Sequence, residues 1–450
     1  MEYINSFYHF RDLVVGVDTN IPLTDQTYTT AINFDNAATT PPFNHVMNEI
    51  VKFSPWYSSI HRGAGYKSQV SSKLYDDARN IIAEFVGANI DYHSIIFVKN
   101  ATEAINKLSN KLLPLYKDGV VISTCMEHHS NDLPWRGKYK MDYISIDKYG
   151  QLSMEDLKSK LIKYDDKVKL VTVTGASNVT GYINPIHKIA ELAHSHGAKI
   201  LVDGAQLVPH APVDMKSLDS PEHIDYLVFS GHKMYAPFGT GVLIGPKTTF
   251  MKSPPDYSGG GTVKIVTHDH IEWLDPPERE EAGTPNIMGV LAITWAIKLL
   301  NELGMHNIED YEKMLTDHAI DSLQNIPYVE LYHNPIKRGK SVSIIPFNIK
   351  GLHHSIVANI LSHEFGIAVR NGCFCAQPYI QRLLNISPED TKKYIGNSHL
   401  PIPGMVRISL GIYNTIEEIN TLVKALYHIS LNRKFYFEKY KKDLYSNFLN

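Results

Sequence analysis

The stretch Phe229-Ser230-Gly231-His232-Lys233-Met234-Tyr235 decides how this chain folds, together with Asp203-Gly204-Ala205-Gln206 upstream of it. Each follows a run that reads as a buried parallel strand: Lys199-Ile200-Leu201-Val202 before the aspartate, and Asp225-Tyr226-Leu227-Val228-Phe229 before Ser-Gly-His-Lys. One strand end delivers a carboxylate and the other a lysine. Ligands of open α/β sheets sit at the carboxyl ends of the strands, so both side chains are expected at one site. Pyridoxal 5'-phosphate needs that pair. The lysine amine tethers its aldehyde, and the acid partners its pyridinium nitrogen, which makes the ring an electron sink. A lone lysine is ordinarily a solvated surface residue; Asp203 and the motifs below point to the cofactor instead.

Working outward, the pattern from about residue 70 to 245 alternates between helix and strand. Helices are predicted at 72–86, 101–112, 155–162 and 186–196, and strands at 95–98, 120–124 and 169–174, besides the two already named. That alternation predicts an α/β fold, a mostly parallel sheet covered by helices. Asn100-Ala101-Thr102, Glu127-His128, Ser177-Asn178, Asp203 and Lys233 all fall at strand ends. Asn100 to Glu103 reads as a capping box, and a helix N-terminus at a strand end is also a phosphate site. Gly239-Thr240-Gly241 lacks dinucleotide spacing and is followed by a strand, so it reads as the turn after Lys233. The segment from Ser253 to Gly261 reads as a loop. The expected division is an N-terminal arm (1–32), a large domain (33–286), a smaller α+β domain (287–428) entered through a long helix at 287–303, and a helical tail (429–450) whose aromatic residues dock it.

Composition fits a soluble cytoplasmic enzyme: 450 residues, 43% hydrophobic and 20% charged. With 44 basic and 47 acidic residues the net charge is −3, which offers nucleic acid no general basic field. No apolar run approaches the roughly 20 residues of a membrane span, and the N-terminus has no signal-peptide pattern. Three cysteines cannot build a disulfide framework, so thiols kept for chemistry are expected. The 22 histidines match no metal motif in spacing, and no metal is expected.

Asp-Gly-Ala-Gln followed by Ser-Gly-His-Lys-Met-Tyr resembles the class V, fold-type I pyridoxal-phosphate enzymes, most closely their cysteine desulfurase and selenocysteine lyase branch, from about Asn33 to Tyr427. The resemblance implies roles for matching residues. Thr102, Ser230 and His232 bond the phosphate. His128 stacks on the pyridine ring and helps relay protons. Asn178 and Gln206 lie near its 3-hydroxyl, Asp203 holds the ring nitrogen and Lys233 carries the cofactor. Glu281-Ala282-Gly283-Thr284-Pro285-Asn286, through Thr284, and His61-Arg62-Gly63 resemble segments reaching a partner subunit's site, which implies a homodimer. Arg407 grips the substrate carboxylate, with Asn178, Arg370, His61 and Arg62 also on the substrate side.

The reaction hinges on Arg370-Asn371-Gly372-Cys373-Phe374-Cys375-Ala376-Gln377-Pro378, which resembles the desulfurase motif Arg-x-Gly-x-x-Cys-Ala-x-Pro and places the nucleophile at Cys375. The implied activity turns L-cysteine into L-alanine with sulfur held as a persulfide for an acceptor protein, as in iron–sulfur cluster assembly. A thiolate is the reactive form. Where the family often has His-His, this chain has Cys373-Phe374, a run that resembles the desulfurase domain of molybdenum-cofactor sulfurases, although the extra C-terminal domain those carry is not expected here. Gly65 stands where the family has a histidine. Alternatives are a selenocysteine lyase, a cysteine-sulfinate desulfinase, a class V aminotransferase, epimerase or kynureninase-like lyase, or an idle scaffold.

Overall fold

The computed structural model describes residues 8–116, 118–333, 340–397 and 400–446. Its large sheet holds seven strands: β1 (His93–Val98), β2 (Val120–Thr124), β3 (Lys140–Ile144), β4 (Val168–Thr174), β5 (Lys199–Asp203), β6 (Tyr226–Ser230) and β7 (Gly241–Pro246). The order is β1-β7-β6-β5-β4-β2-β3. Pairs from β6 to β3 are parallel, whereas β7 runs antiparallel to both neighbours. The α/β reading thus holds, and so do the strands at Asp203 and Ser230. The central strands are buried on both faces, which is why they read as continuous apolar runs. Edge strand β3, Lys-Met-Asp-Tyr-Ile, buries only its last residue and gives no such run.

Helices α1 (Tyr66–Val86), α2 (Ala101–Tyr116) and α3 (Ile186–Ser195) cover this sheet, and α4 (Ile287–Leu303) and α5 (Met305–Leu323) follow it. The expected connecting helix, α4, is a core helix: Ile287, Val290, Leu291, Ile293, Ile297 and Leu300 are all buried. Among the described residues no single helix is long and apolar enough to cross a membrane; α4 and α5 pass only as a pair bent by 79°.

The second sheet is antiparallel: β8 (Val329–Leu331), β9 (Ile344–Ile349), β10 (Arg370–Gly372) and β11 (Met405–Ser409), in the order β8-β9-β11-β10. Helices α6 (His354–Phe365), α7 (Ile416–Leu431) and α8 (Arg433–Ser446) accompany it. The tail helix docks as expected: Glu364 on α6 accepts hydrogen bonds from the Tyr436 and Tyr440 hydroxyls (3.1 and 2.8 Å) and pairs with Lys439 at 2.6 Å. Phe448 and the side chain of Tyr445, part of the same aromatic pattern, lie outside the described residues. Ile32–Asn33 pairs in parallel with Ile367–Ala368, and Asp35 bridges to Ser409, so the chain just after the N-terminal arm is built into the C-terminal sheet region.

Two buried polar clusters organise the large sheet. Under the Ser253–Gly261 loop, Lys107 and Lys111 of α2 are almost wholly buried with Glu280, and Lys111 pairs with it at 2.6 Å. Lys107 pairs with Asp256, while Lys111 and Arg279 donate to the loop carbonyls of Ser253 and Pro254. Burial lowers the Lys111 ammonium and raises the Glu280 carboxyl. At the opposite strand ends, ligand atoms of His194, His223 and Asp225 lie within 4.8 Å of one another. The Lys199 ammonium already stands 2.6 Å from the Asp225 carboxylate, and the His194 ring spans the carbonyl of Pro221 and that carboxylate, at 2.7 and 2.9 Å. The group reads as a clasp of α3 to β6, with the lysine where a cation would sit.

Candidate active site

The carboxyl ends of β1, β2, β4, β5 and β6 surround a cavity of about 230 Å³, closed from above by the loop after β10 and by β11. Its walls include Thr102, His128, Asn178, Asp203, Gln206, Ser230, His232, Lys233, Arg370, Cys375 and Arg407. These residues are scattered over 306 positions of sequence and meet at one place. Thr284, His61 and Arg62 do not join them in the same chain. They line a second cavity of about 580 Å³, with Gly260 and Glu281.

Lys233 sits in a short turn directly after β6, its side chain open only in part. Burial lowers its amine to about 8, against the pull of Asp203. Asp203 ends β5 nearly enclosed, one oxygen accepting from the Ala205 N–H at 3.0 Å; burial raises its carboxyl above the ordinary range. Next to it Gln206 donates to the Ala37 carbonyl at 2.7 Å, while its side-chain oxygen is buried without a partner.

The start of α2 differs slightly from the expected capping box. The Asn100 side chain accepts from the Glu103 N–H at 3.0 Å, but Glu103 reaches one residue further back, to the Lys99 N–H at 2.6 Å. Ala101, lacking a hydroxyl, gives its N–H to the Ser230 hydroxyl at 2.8 Å. Thr102 bonds Ser130 at 2.6 Å. Nδ1 of His128 lies 3.1 Å from the Ser130 N–H and accepts it. Burial, then the Lys233 charge, lowers the His128 imidazole to about 3, so the ring is neutral, with its proton on Nε2. Behind it Glu127 is buried between β2 and β4, accepting from Thr124, Asn131 and the Thr174 N–H at 2.6, 2.6 and 2.9 Å. Burial pushes its carboxyl up to about 8, although those donors favour the ionised form.

Cys375 is exposed and lines the cavity. Phe374 and Cys375 both adopt left-handed backbone, with φ of 49° and 53°, a conformation costing about 1–3 kcal/mol for side chains other than glycine. Two clamps hold it: the His129 N–H donates to the Cys375 carbonyl at 2.6 Å, and the Asn178 amide donates to the Phe374 carbonyl at 2.7 Å. Asn178 therefore secures the cysteine loop as well as lining the cavity. Cys373 points away, donating to the Pro403 carbonyl at 3.4 Å, and burial raises its thiol. Cys125 is buried at a strand end.

Arg407 is 3% exposed. One terminal nitrogen donates to the Asn178 carbonyl at 2.8 Å, the other to Asp35 at 3.1 Å, and Nε is buried without a partner. Burial lowers this guanidinium to about 10. Asp35 and Ser130 were not singled out in the sequence, and Glu127 was named there only as the strand-end neighbour of His128. A charged residue closing the apolar pair Ile32 and Phe34 was the available signal for Asp35.

The orphaned Gln206 oxygen and Arg407 Nε, one polar atom for a ring substituent and one for a carboxylate, fit a cofactor and an amino acid filling this cavity. The family model "Aminotransferase class-V" matches residues 32–422. A "Probable cysteine desulfurase" of Synechocystis sp. is 36% identical over 403 residues, covering 88% of this chain and 90% of that protein. A cysteine desulfurase of Haloferax volcanii is 35% identical over 422 residues, 92% of each chain. The apo structure of a cysteine desulfurase from Thermococcus onnurineus NA1 superposes with a TM-score of 0.80 at 32% identity, covering 92% of this chain and 98% of that one. With one cavity gathering the strand-end lysine, the strand-end aspartate and the loop cysteine, and with likeness running along nearly the whole length, this chain belongs to the class V aminotransferase family, in its cysteine desulfurase branch.

Proposed function

We propose that this chain takes sulfur from L-cysteine, releasing L-alanine and holding the sulfur as a persulfide on Cys375. The observation that carries the reading is one cavity shared by Lys233, Asp203, Arg407 and an exposed cysteine on a clamped loop. Lys233 would hold pyridoxal phosphate, with Asp203 at its ring nitrogen, His128 stacked on the ring, Gln206 and Asn178 near its 3-hydroxyl, and Thr102, Ser230 and His232 about its phosphate. The bound cofactor supplies an electron sink for carbanionic charge on the amino acid. Arg407 binds the substrate carboxylate through its spare Nε, in a planar fork suited to it. Arg370 lines the same cavity on the substrate side. The Cys375 thiolate attacks the substrate sulfur; a sulfur–sulfur bond forms, the carbon–sulfur bond breaks, and its electron pair stays on the substrate carbon, which a proton then completes to alanine. The neutral amine that burial favours at Lys233 is suited to moving the α-proton. A sulfur-acceptor protein then collects the persulfide sulfur.

The protein is proposed to be a homodimer in which Thr284, His61 and Arg62 complete the partner's site. The division into arm, large domain, small domain and tail at 32, 286 and 428 is likewise a proposal, suited to limited proteolysis. The deciding experiment incubates the cofactor-loaded protein with L-cysteine and follows alanine together with the mass of bound sulfur. Alanine release with one added sulfur on Cys375 is expected, and Cys375→Ser should lose the added sulfur by at least about a hundredfold, because an alcohol is a poor nucleophile toward sulfur. Alanine and added sulfur at the wild-type level in Cys375→Ser would refute the assignment.

A further inference from the structure

Three histidines gather at the amino ends of the large sheet, away from the cavity at its carboxyl ends. His194 stands in the last turn of α3, His223 and Asp225 lie in the segment entering β6, and His93 opens β1. The His194 and His223 rings stack with centroids 4.2 Å apart. Nε2 of each faces the Asp225 carboxylate, at 2.9 and 3.4 Å. Nδ1 of each donates to a main-chain carbonyl, that of Pro221 at 2.7 Å and that of Ser220 at 2.8 Å. Both rings thus have an acceptor at each nitrogen. An imidazole with its one proton on Nδ1 satisfies the carbonyl and turns a lone pair toward the carboxylate. A cation between the two removes that conflict. The Asp225 side chain is fully buried; although burial raises its carboxyl, His194, His223 and Lys199 hold it well below the ordinary range.

His93 adds an independent observation. It is 1% exposed, and its Nδ1 donates to the Asn89 carbonyl at 3.1 Å. Its Nε2 therefore carries a lone pair, buried without a partner. Burial lowers this ring to about 4, and it is close enough to Asp225, His223 and Lys199 to feel their charges. Lys199 is the cation in place, 2.6 Å from Asp225, but its side chain is 38% exposed. Its flexible four-carbon stem can carry the ammonium out into solvent.

We propose that His194, His223 and Asp225 form a binding site for a divalent transition metal, zinc by its ligand set, and that Lys199 swings out as the metal enters. Two imidazoles and one carboxylate are three ligands of a four-coordinate set, and a water supplies the fourth. Nε2 of His93 is the acceptor for that water. The Pro221 and Ser220 carbonyls are the outer partners that fix the proton of each metal-bound imidazole on Nδ1. Nitrogen ligands favour zinc over magnesium and calcium, which take oxygen. The three ligand atoms lie within 4.8 Å of one another, so binding draws them together. The metal ties the end of α3 to β6, the strand that leads to Lys233. No spacing motif marks the set, because His194 comes from a different element than His223 and Asp225. The site lies outside the Lys233 cavity and does not depend on the reaction there.

The cofactor-loaded full chain, stripped of metal by a chelator and dialysed, is titrated calorimetrically with zinc chloride and with magnesium chloride. The zinc-loaded protein is then measured by X-ray absorption at the zinc edge. One zinc per chain is expected, in a shell of nitrogen and oxygen alone at about 2.0–2.2 Å, with no binding of magnesium. A zinc ligated by sulfur at about 2.3 Å would place the metal on the cysteines and overturn the proposal. His194→Gln and His223→Gln should each weaken zinc by more than the roughly 10–100-fold that loss of an outer partner costs. Lys199→Met keeps all three ligands and removes the competing ammonium, so it should tighten zinc about tenfold or more. Zinc affinity unchanged in both histidine variants would overturn the proposal. So would a wild-type protein that binds no zinc, whatever Lys199→Met does, since the ammonium would then be the permanent occupant. Should a histidine variant fold poorly, the wild-type titration and its zinc-edge spectrum still decide.

Discussion

Lys233 shows how a single side chain takes its chemistry from its surroundings. Its amine falls to about 8 because burial disfavours the ammonium, while Asp203 only partly offsets this. The neutral amine is the form that attacks an aldehyde. Capture of pyridoxal phosphate by the cofactor-free chain is therefore expected to quicken as pH rises from 6 and to level off above about 8, rather than near the ordinary lysine value of about 10.4. Stopped-flow absorbance across that range checks it; a rate still climbing steeply at pH 10 would contradict it. The native fold carries the opposite burden at this residue. Its lysine binds fewer protons than the unfolded chain between the lowered value and the ordinary one, so this group favours the native state increasingly as pH rises through that window. Lys233 and Asp203 were legible from residue type and position at strand ends, and Cys375 through the motif its surroundings resemble. Asp35 was not, because a single aspartate has no motif, and the two arginines it pairs with lie more than 330 positions away.

At the scale of elements, close approaches and buried charges hold the site in shape. Gly241 opens β7 against the start of α2: a Cβ there would lie 2.6 Å from the Asn100 Cα and 2.7 Å from its carbonyl carbon. Gly241→Ala is expected to cost about 1–3 kcal/mol and to weaken retention of the cofactor phosphate by displacing the Asn100–Thr102 turn. Thermal melts and cofactor dissociation rates measure both, and an unchanged melt would show that β7 yields freely. The loop at 253–261 depends on charge instead. Glu280→Gln would leave Lys107 and Lys111 buried with reduced compensation, a change expected to cost about 3–5 kcal/mol by denaturant unfolding; a loss below 1 kcal/mol would mean that Asp256 and water suffice. The sequence announced the loop by its Pro and Gly content. It could not announce the ion cluster beneath, whose members lie on α2, in the loop and just before α4.

For the whole molecule, the separation of Thr284, His61 and Arg62 from the Lys233 cavity has a direct test. If a partner's Thr284 completes each site, Lys233→Ala and Thr284→Glu are each inactive alone. Mixed dimers formed after mild dissociation would regain activity, since one of their two sites combines an intact Lys233 with an intact Thr284. No recovery, or a fully active monomer by light scattering, would contradict the shared site. What the sequence determined by itself was the set of local chemistries: buried strands as apolar runs, a lysine and an aspartate at strand ends, a cysteine in a motif, and family membership through their order. These are legible because strand burial and turn chemistry act over a few residues. Only the tertiary structure decided which of them share a cavity, that His128 is a neutral ring, that Cys373 points away from Cys375's cavity, and that Asp35 joins Arg407 to Arg370. Those outcomes depend on burial and on charges brought together across hundreds of residues, and desolvation and Coulomb energy are properties of positions in space.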